Sequence, residues 1–300
     1  MAVVASEAMQ SYDVKVTVFS DNKVTFKVYQ KSIVKRKDGF EPSPLSDFLP
    51  LDNESIDDLL PKIKLSEKEE AAFKSIRTDN LARSRNLLID LAHQNYSLWK
   101  SFITLTFKEN VTDINEANKA FHIWVTCISQ KFPNFKYIAV PEYQKRGAVH
   151  YHLITNIECG SDLIPQRKKK YTKSAKGGYK CLDYYNLPYW GKGFSSAFNL
   201  QMTDDKFQVA IYITKYLYKD IDNRLYGRKK IMHSQDLERP EYYQTKLKNL
   251  SYFLRNSHLV NSYSFDAQKP FQIGYQMFEY EMDEYEISLL KKNIEQEFEL

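Results

Sequence analysis

The first part of the chain shows an alternation of apolar and polar residues that predicts a β-hairpin. Valines occupy every second position from Val14 to Val18, and apolar residues do so again from Val24 to Val28. The segment between these two runs, residues 20–23, is rich in the polar residues that favour turns. Residues 37–61 are rich in proline, serine and acids, which indicates a linker. We therefore assign residues 1–65 to an N-terminal hairpin and linker.

The middle of the chain alternates between patterns typical of strands and of helices. In the strand segments apolar residues occupy every second position, whereas in the helical segments they recur every three or four positions. A capping box at Ser66 and Glu69 marks one helix start, and Asp113 marks another. The predicted elements are, in order, a helix over residues 66–95, a strand over 102–107, a helix over 113–128, strands over 135–142 and 147–154, a strand over 193–201, a helix from 204 or 205 to about 221, and a short strand over 229–234.

This order of elements predicts an α+β fold. Hairpin-connected strands with helices between them favour a central antiparallel sheet, flanked by helices, rather than a parallel sheet. We assign the central domain to residues 66–255. Residues 256–300 then form an acidic C-terminal tail that contains a helix.

Charge is distributed unevenly, although the formal net charge is only +5. Residues 166–192 carry eight lysines or arginines and one acid, whereas residues 277–300 carry eight acids and two lysines. A basic stretch of this kind indicates a surface for nucleic acid, and the alternative is a solvated loop. The residues that we expect to contact phosphate groups are Arg146, Arg167, Lys168, Lys169 and Lys170.

Composition and short motifs exclude several other classes of protein. The three cysteines are far apart and lack metal-site spacing, which fits a reducing compartment. The first ten residues do not read as a secretory signal, and no apolar run reaches the length of a membrane span. We therefore expect a cytoplasmic protein without a membrane partner. The phosphate-binding loop of ATP-driven motors is absent from the sequence.

Two histidines, His150 and His152, are separated by one residue within an apolar segment. Side chains alternate along a β-strand, so both imidazoles lie on the same face of the predicted strand. This spacing suits two ligands of one divalent metal ion. The alternative is a pair of histidines that binds no ligand.

A second pattern lies on the predicted helix that ends near residue 221. Tyr212, Lys215, Tyr216 and Lys219 fall on one face of an ideal helix, because each residue advances by about 100°. Nearby lysines favour the phenolate form of tyrosine and can hold a phosphate group. An exposed amphipathic helix with long polar side chains is the alternative interpretation.

Taken in order, these motifs resemble the HUH endonucleases. The strand over residues 102–107, the His150–His152 pair and the two-tyrosine helix occur in the sequence of that superfamily. The similarity is stronger to rolling-circle replication initiators of the two-tyrosine type, which include the gene A proteins of small single-stranded DNA phages. The Trp190-Gly-x-Gly193 segment and the region of Asn95 are also similar. The resemblance extends over roughly residues 83–240 and implies a central antiparallel sheet of about five strands.

The resemblance implies a reaction and roles for individual residues. Tyr212 or Tyr216 would attack a phosphodiester of single-stranded DNA at a replication origin, leaving a 5′-phosphotyrosine link and a free 3′-OH. Lys215 and Lys219 would hold the phosphate or the phenolate. Host helicase and DNA polymerase are the implied partners.

The resemblance also implies a divalent cofactor, Mg²⁺ or Mn²⁺. His150 and His152 would supply two of its ligands, and Glu142 on the neighbouring strand would supply a third. Glu142 can share their face only if the hairpin pairs it with an even-numbered residue such as Ala148 or His150. We predict a three-residue turn over residues 144–146, with Tyr143 opposite Gly147. The alternative is that Glu142 is an ordinary surface residue.

Two other functions are compatible with these motifs. A conjugative relaxase or a transposase of the same superfamily would use the same chemistry, although the lysine-rich two-tyrosine helix argues against a single-tyrosine transposase. A non-catalytic DNA-binding regulator could use the same fold without cutting DNA.

Overall fold

The chain divides into two compact units in the computed structural model. The residues that the structure describes are 9–36, 83–144, 146–173, 179–200, 213, 229–265 and 275–295. One unit consists of Met1–Asp52 and Arg239–Leu300, and the other consists of Asn53–Glu238. The hairpin and the tail, which the sequence pattern assigned to separate regions, therefore fall in the same unit.

The unit of residues 53–238 is built on an antiparallel sheet. Its strands are β3 (Ser101–Phe107), β4 (Tyr137–Tyr143), β5 (Val149–Thr155), β6 (Gln166–Lys173), β7 (Tyr179–Tyr185), β8 (Gly193–Asn199) and β9 (Met232–His233). Among the described residues they follow the order β6-β7-β8-β3-β5-β4-β9. The five strands from β8 to β9 match the predicted central sheet, and β6 with β7 extends it by a hairpin.

Helices cover both faces of this sheet, as predicted for the α+β class. The helix α1 comprises residues 83–94, and α2 comprises Ile114–Lys131. Asp113 caps α2 as expected, because its Oδ1 accepts a hydrogen bond from Asn115 N at 2.8 Å. One core cluster combines α2 with the odd-numbered positions of β3, β4 and β5, and it includes Phe121, Leu105 and Tyr151.

The opposite face of the sheet carries the two histidines, and we call it the histidine face. Its apolar part is a second core cluster that includes Leu88 and Leu91 of α1 and three residues of the central strands, Phe102, Val140 and Ile154. The cluster also contains Ile213, which is helical and fully buried. Each strand therefore separates two apolar clusters by its alternation, which fixes the register of the sheet.

The basic stretch that begins at residue 166 forms strands where the sequence pattern predicted no regular structure. Lys169 pairs with Asp183, and Lys173 pairs with Tyr179, so β6 and β7 form an antiparallel hairpin. The hairpin joins the sheet where Tyr185 pairs with Ala197 of β8. A strand whose residues are mostly lysine lacks the apolar alternation that would predict it, because its pairing partner supplies the structure.

The other unit contains the predicted N-terminal hairpin within a larger sheet. The elements are β1 (Met9–Val18), β2 (Lys23–Arg36), β10 (Glu241–Thr245), α3 (Ser251–Asn256), β11 (His258–Phe265), β12 (Tyr275–Glu281) and α4 (Glu284–Glu295). Its described strands follow the order β10-β1-β2-β12-β11. The hairpin is confirmed, and its strand β2 pairs with β12 through contacts such as Phe26 opposite Phe278.

The core of this second unit joins both ends of the chain. Buried valines of β1 and β2 pack with residues of α3 and α4, among them Phe253, Leu290 and Ile294. The acidic C-terminal helix predicted from the sequence is α4, whose apolar side lies in this core. Among the described residues, no helix has the length and apolar character needed to cross a membrane.

Candidate active site

The register of two central strands brings the three predicted ligand residues onto one face. Glu142 of β4 lies opposite His150 of β5, and Val140 lies opposite His152. Side chains that are opposite each other in an antiparallel pair share a face, so Glu142, His150 and His152 are neighbours. All three side chains are buried, with exposed fractions of 8% for Glu142, 6% for His150 and 7% for His152.

The turn between these strands satisfies the parity condition with a different closure from the predicted one. Gln144 N donates to Ala148 O at 2.8 Å, and Gly147 N donates to Gln144 O at 2.7 Å. Tyr143 consequently lies opposite Val149, so the prediction that it lies opposite Gly147 is wrong. The connection comprises residues 145–147 rather than 144–146. Gly147 has φ 87°, the left-handed conformation that closes a three-residue hairpin turn.

Glu142 and His152 contact each other directly. His152 Nε2 and Glu142 Oε2 form a buried hydrogen bond, which becomes an ion pair when the imidazole is protonated. On its other side, His152 Nδ1 lies 3.1 Å from Thr104 Oγ1. The ring also stacks on Phe102 with 5.8 Å between centroids. These contacts fix the orientation of the imidazole.

His150 has a different environment. Its Nδ1 lies 3.5 Å from Thr106 Oγ1, and its Nε2 is buried without a hydrogen-bond partner among the described residues. Burial, with a smaller contribution from the neighbouring His152, lowers the pKa of His150 to about 4. His150 is therefore neutral at pH 7, which is the form that can bind a metal ion.

The donor set fits a divalent ion in its chemistry. Two imidazoles and one carboxylate are common ligands of Mn²⁺, and the partnerless Nε2 of His150 leaves one donor available. As they stand, the described residues include no group of three His, Cys, Asp or Glu side chains arranged to hold a metal ion. The reason is that the Glu142 carboxylate is bonded to His152. Metal binding therefore requires that hydrogen bond to be exchanged for two coordinate bonds.

Two threonines complete the site, and sequence analysis did not identify them. Thr104 lies opposite His152, and Thr106 lies opposite His150, so each threonine faces the imidazole that it contacts. Threonine is common in strands, and its hydroxyl gives no sign of function in a sequence. The alternation of Thr104 and Thr106 with buried residues was the only available indication.

Tyr151, between the two histidines, lies on the other face of the sheet and belongs to the core under α2. Its hydroxyl donates to Asn118 Oδ1 at 2.8 Å. Burial raises the pKa of Tyr151 well above that of an exposed tyrosine, and Tyr143 adds to the effect. Tyr151 is therefore a structural residue and remains protonated.

The glycine and tryptophan of the Trp190-Gly-x-Gly193 segment contact the end of β3. Trp190 Nε1 donates to the carbonyl oxygen of Thr106 at 2.9 Å. A Cβ atom on Gly193 would lie 2.3 Å from that same oxygen and 2.4 Å from Lys108 N. These two residues therefore position the backbone that carries Thr106.

Asn95 has a structural role at the end of α1. Its Nδ2 donates to the carbonyl oxygens of Leu91 and Glu238, both at 2.9 Å. Its Oδ1 accepts from Glu238 N at 3.1 Å. Asn95 thus fixes the segment that follows β9 against α1, away from the histidine pair.

The remaining predicted site residues are placed only in part. Arg146 is exposed at the turn between β4 and β5, and its Nε donates to Gln144 Oε1 at 3.0 Å. The backbone of Arg167, Lys168, Lys169 and Lys170 lies in β6. Tyr212, Lys215, Tyr216 and Lys219 lie outside the described residues, although their neighbour Ile213 is buried in the cluster on the histidine face.

Comparison with known proteins adds independent information about this region. Residues 100–221 match the family model of replication-associated proteins of the ORF2 type. The matched range contains the histidine pair, Glu142 and both tyrosines of the predicted helix. It confirms, over that range, the resemblance to replication initiators inferred from the motifs.

A curated protein shows the same similarity. The chain is 29% identical over 127 residues to the phasyl DNA replicon protein arp of Escherichia coli. The alignment covers 41% of this chain and 44% of that relative, so it spans less than half the length of either protein. No solved structure matches the chain.

Proposed function

We propose that this protein initiates replication by nicking and rejoining single-stranded DNA at an origin, through a 5′-phosphotyrosine intermediate. Rolling-circle replication of a plasmid, a phage or an integrated element would start at the nick. The observation that carries the proposal is the convergence of Glu142, His150 and His152 on one face of the sheet. This face belongs to the region that matches the replication-associated protein family.

Tyr212 and Tyr216 are the proposed nucleophiles. Ile213 is buried in the core cluster on the histidine face. On the helix predicted from the sequence, Tyr216 is rotated about 60° from Ile213 and Tyr212 about 100°, on the same side. Both tyrosines would then flank the side of the helix that packs on this face. That placement supports an attack on a phosphate group held near the histidines.

The proposed cleavage is a transesterification. The phenolic oxygen loses its proton and forms a bond to phosphorus, while the bond between phosphorus and the 3′ oxygen breaks. The departing 3′ oxygen takes up a proton and becomes the 3′-OH that a polymerase can extend. Lys215 and Lys219 would stabilise the phenolate and the phosphate charge. Rejoining is the reverse reaction and needs no external energy source, because the phosphotyrosine conserves the bond energy.

Glu142, His150 and His152 would hold a Mg²⁺ or Mn²⁺ ion next to the reacting phosphate. The ion would polarise the phosphate and offset the charge that develops in the transition state. Thr104 and Thr106 would keep the two imidazoles oriented through their Nδ1 atoms, which leaves the Nε2 atoms for coordination. The neutral state of His150 at pH 7 favours this role.

DNA would be held by cationic residues around the site. Arg146 lies at the turn that joins β4 and β5, close in sequence to Glu142 and His150. Arg167, Lys168, Lys169 and Lys170 of β6 would neutralise phosphates at the edge of the same sheet. Host helicase and DNA polymerase would supply the strand separation and synthesis.

The test is cleavage of circular single-stranded DNA tiled from the DNA that flanks the gene. We expect nicking that requires Mg²⁺ or Mn²⁺ and a covalent protein–DNA adduct whose linked residue is Tyr212 or Tyr216. The variant Tyr212→Phe/Tyr216→Phe should form no adduct, whereas the single variants should retain some cleavage. Tyr285→Phe, at a tyrosine that is 75% exposed on α4, serves as the matched control and should be fully active.

Histidine variants test the metal site in the same assay. His150→Ala/His152→Ala should be inactive even at saturating Mn²⁺, whereas His122→Ala, at an exposed histidine of α2, should be unaffected. Wild-type cleavage by the double histidine variant would exclude the proposed metal site. Origin binding by the wild-type protein without any cleavage would identify a non-catalytic regulator instead.

A further inference from the structure

Two phenylalanines on β8 are exposed beside the candidate active site. Phe194 is 46% exposed and Phe198 is 43% exposed. Phe194 lies opposite Thr106, and Phe198 lies opposite Phe102. Because Thr106 also lies opposite His150, Phe194 is two strands away from that histidine, or about 10 Å at the usual strand spacing. Both phenylalanines therefore belong to the histidine face.

The exposure of these rings is not a requirement of the fold. The intervening residues Ser195 and Ala197 are buried on the other face, and they attach β8 to the core. A polar residue at either exposed position would satisfy the strand equally well, because large exposed apolar side chains contribute little to packing. Two aromatic rings at alternate exposed positions of one strand face indicate a ligand with flat apolar surfaces.

Cationic residues lie at both ends of the strand pair that carries the rings. Near Phe194, Lys108 N donates to Lys192 O at 2.9 Å, and both lysines are exposed. Near Phe198, Leu200 N donates to the carbonyl oxygen of Lys100 at 2.9 Å. Beyond β8, the next strands are β7 and the lysine-rich β6.

Aromatic rings placed between cations match one class of ligand. Single-stranded nucleic acid offers unpaired bases that stack on aromatic side chains and phosphates that pair with lysines. The bases of a duplex are already stacked on each other, so they cannot use such rings. The surface therefore fits a single strand rather than a duplex.

We infer that Phe194 and Phe198 stack bases of the single-stranded substrate on one side of the bond to be cut. The inference rests on the proposed function, since it assigns β8 as the path by which the strand leaves the histidine pair. Both phenylalanines are positioning residues, because they hold bases and do not touch the reacting phosphate. They would fix the strand with respect to the sheet without selecting a particular base.

The test is equilibrium binding of a fluorescein-labelled 20-nucleotide oligothymidine, measured by fluorescence anisotropy with the full chain and without cleavage. We expect Phe194→Ala and Phe198→Ala each to weaken binding roughly 5-fold or more, as loss of one stacked base does. Phe→Trp at either position should restore wild-type affinity, whereas Phe→Leu, which keeps apolar volume without a flat ring, should not. Ile123→Ala, at a residue of α2 that is 54% exposed, is the matched control and should bind normally.

A second probe separates stacking from phosphate contacts. An abasic oligonucleotide of the same length should bind wild-type protein more weakly, and the Phe194→Ala/Phe198→Ala variant should no longer distinguish the two probes. This variant should keep the wild-type dependence of affinity on salt, whereas Lys108→Ala/Lys192→Ala should reduce that dependence.

The two proposals fail in different ways. Wild-type affinity of the alanine variants for oligothymidine, or full affinity of the leucine variants, would overturn the stacking role even if the protein nicks DNA. Conversely, a wild-type protein that binds through these rings but never cuts circular single-stranded DNA would refute the proposed initiator activity and leave the stacking surface intact.

Discussion

The candidate site contains three groups whose side chains could coordinate a metal ion and two threonines that hold them in place. Thr104 and Thr106 contact the Nδ1 atoms of the two histidines at 3.1 and 3.5 Å. A hydrogen bond on one ring nitrogen orients the other nitrogen, and loss of such a bond typically weakens metal binding. The threonines should therefore control affinity for the metal ion without taking part in coordination.

The variant Thr104→Val replaces the hydroxyl by a methyl group of similar size. We expect the Mn²⁺ concentration that gives half-maximal nicking to rise roughly 10- to 100-fold, with activity recovered at saturating Mn²⁺. Thr106→Val should have a smaller effect, because its contact with His150 is longer. Thr126→Val on the exposed side of α2 is the control and should leave the Mn²⁺ requirement unchanged. An unaltered requirement in Thr104→Val would mean that the threonine is not part of the site.

At the scale of elements, the contact between β3 and β8 positions one side of the site. Gly193 lies so close to the backbone of β3 that any side chain would collide with Thr106 O, Phe107 C and Lys108 N. These are backbone atoms, which cannot move aside as the end of a flexible side chain can. The close approach explains why this strand begins with glycine.

The variant Gly193→Ala should lower the free energy of unfolding by roughly 2 kcal/mol or more, as expected for a steric conflict with backbone. It should also weaken nicking, because Thr106 moves with the displaced strand. Gly191→Ala is a close control, since a Cβ atom there meets nothing within 4 Å. Urea denaturation of the two variants compares them directly, and equal stability would contradict the described packing.

Elements with strong alternation could be predicted from the sequence, and those that depend on distant partners could not. The helix α2 and the strands β3, β4 and β5 have apolar positions at regular intervals, because each contacts a core cluster. The hairpin β6–β7 has few apolar residues, and its pairing appears only in the folded sheet.

Prediction of the site shows the same limit. Alternation on one strand predicted that His150 and His152 share a face, and the parity of the hairpin correctly extended this to Glu142. The hydrogen bond between Glu142 and His152 could not be predicted, because it connects diagonal rather than opposite residues. The phenylalanines of β8 were also missed, since alternation identifies a face but not whether another element covers it.

At the scale of the whole molecule, the two units have separate cores. The core of the first unit combines β1 and β2 with α3 and α4, whereas the matched family region lies within the second unit. Separate cores allow separate local unfolding. A change in the first core should therefore leave the histidine face folded.

The variant Leu290→Asp places a charged group at a fully buried position of α4. We expect a loss of roughly 3–5 kcal/mol in the stability of the first unit. Hydrogen exchange should show lost protection in β1 and β2, with β4 and β5 still protected. Ser288→Asp, at an exposed position of the same helix, is the control and should retain all protection. Simultaneous loss of protection in β5 would mean that the units unfold together.

The pairing of β2 with β12 has a consequence for the order of folding. Phe26 and Phe278 are opposite each other, so their contact joins residues that are 278 − 26 = 252 positions apart in sequence. Glu142 and His150 are only 150 − 142 = 8 positions apart. The entropy lost on closing a loop increases with its length, and contacts between distant residues form slowly. The hairpin that carries the candidate ligands can thus form early, while β1 and β2 must wait for β12 before their sheet is continuous.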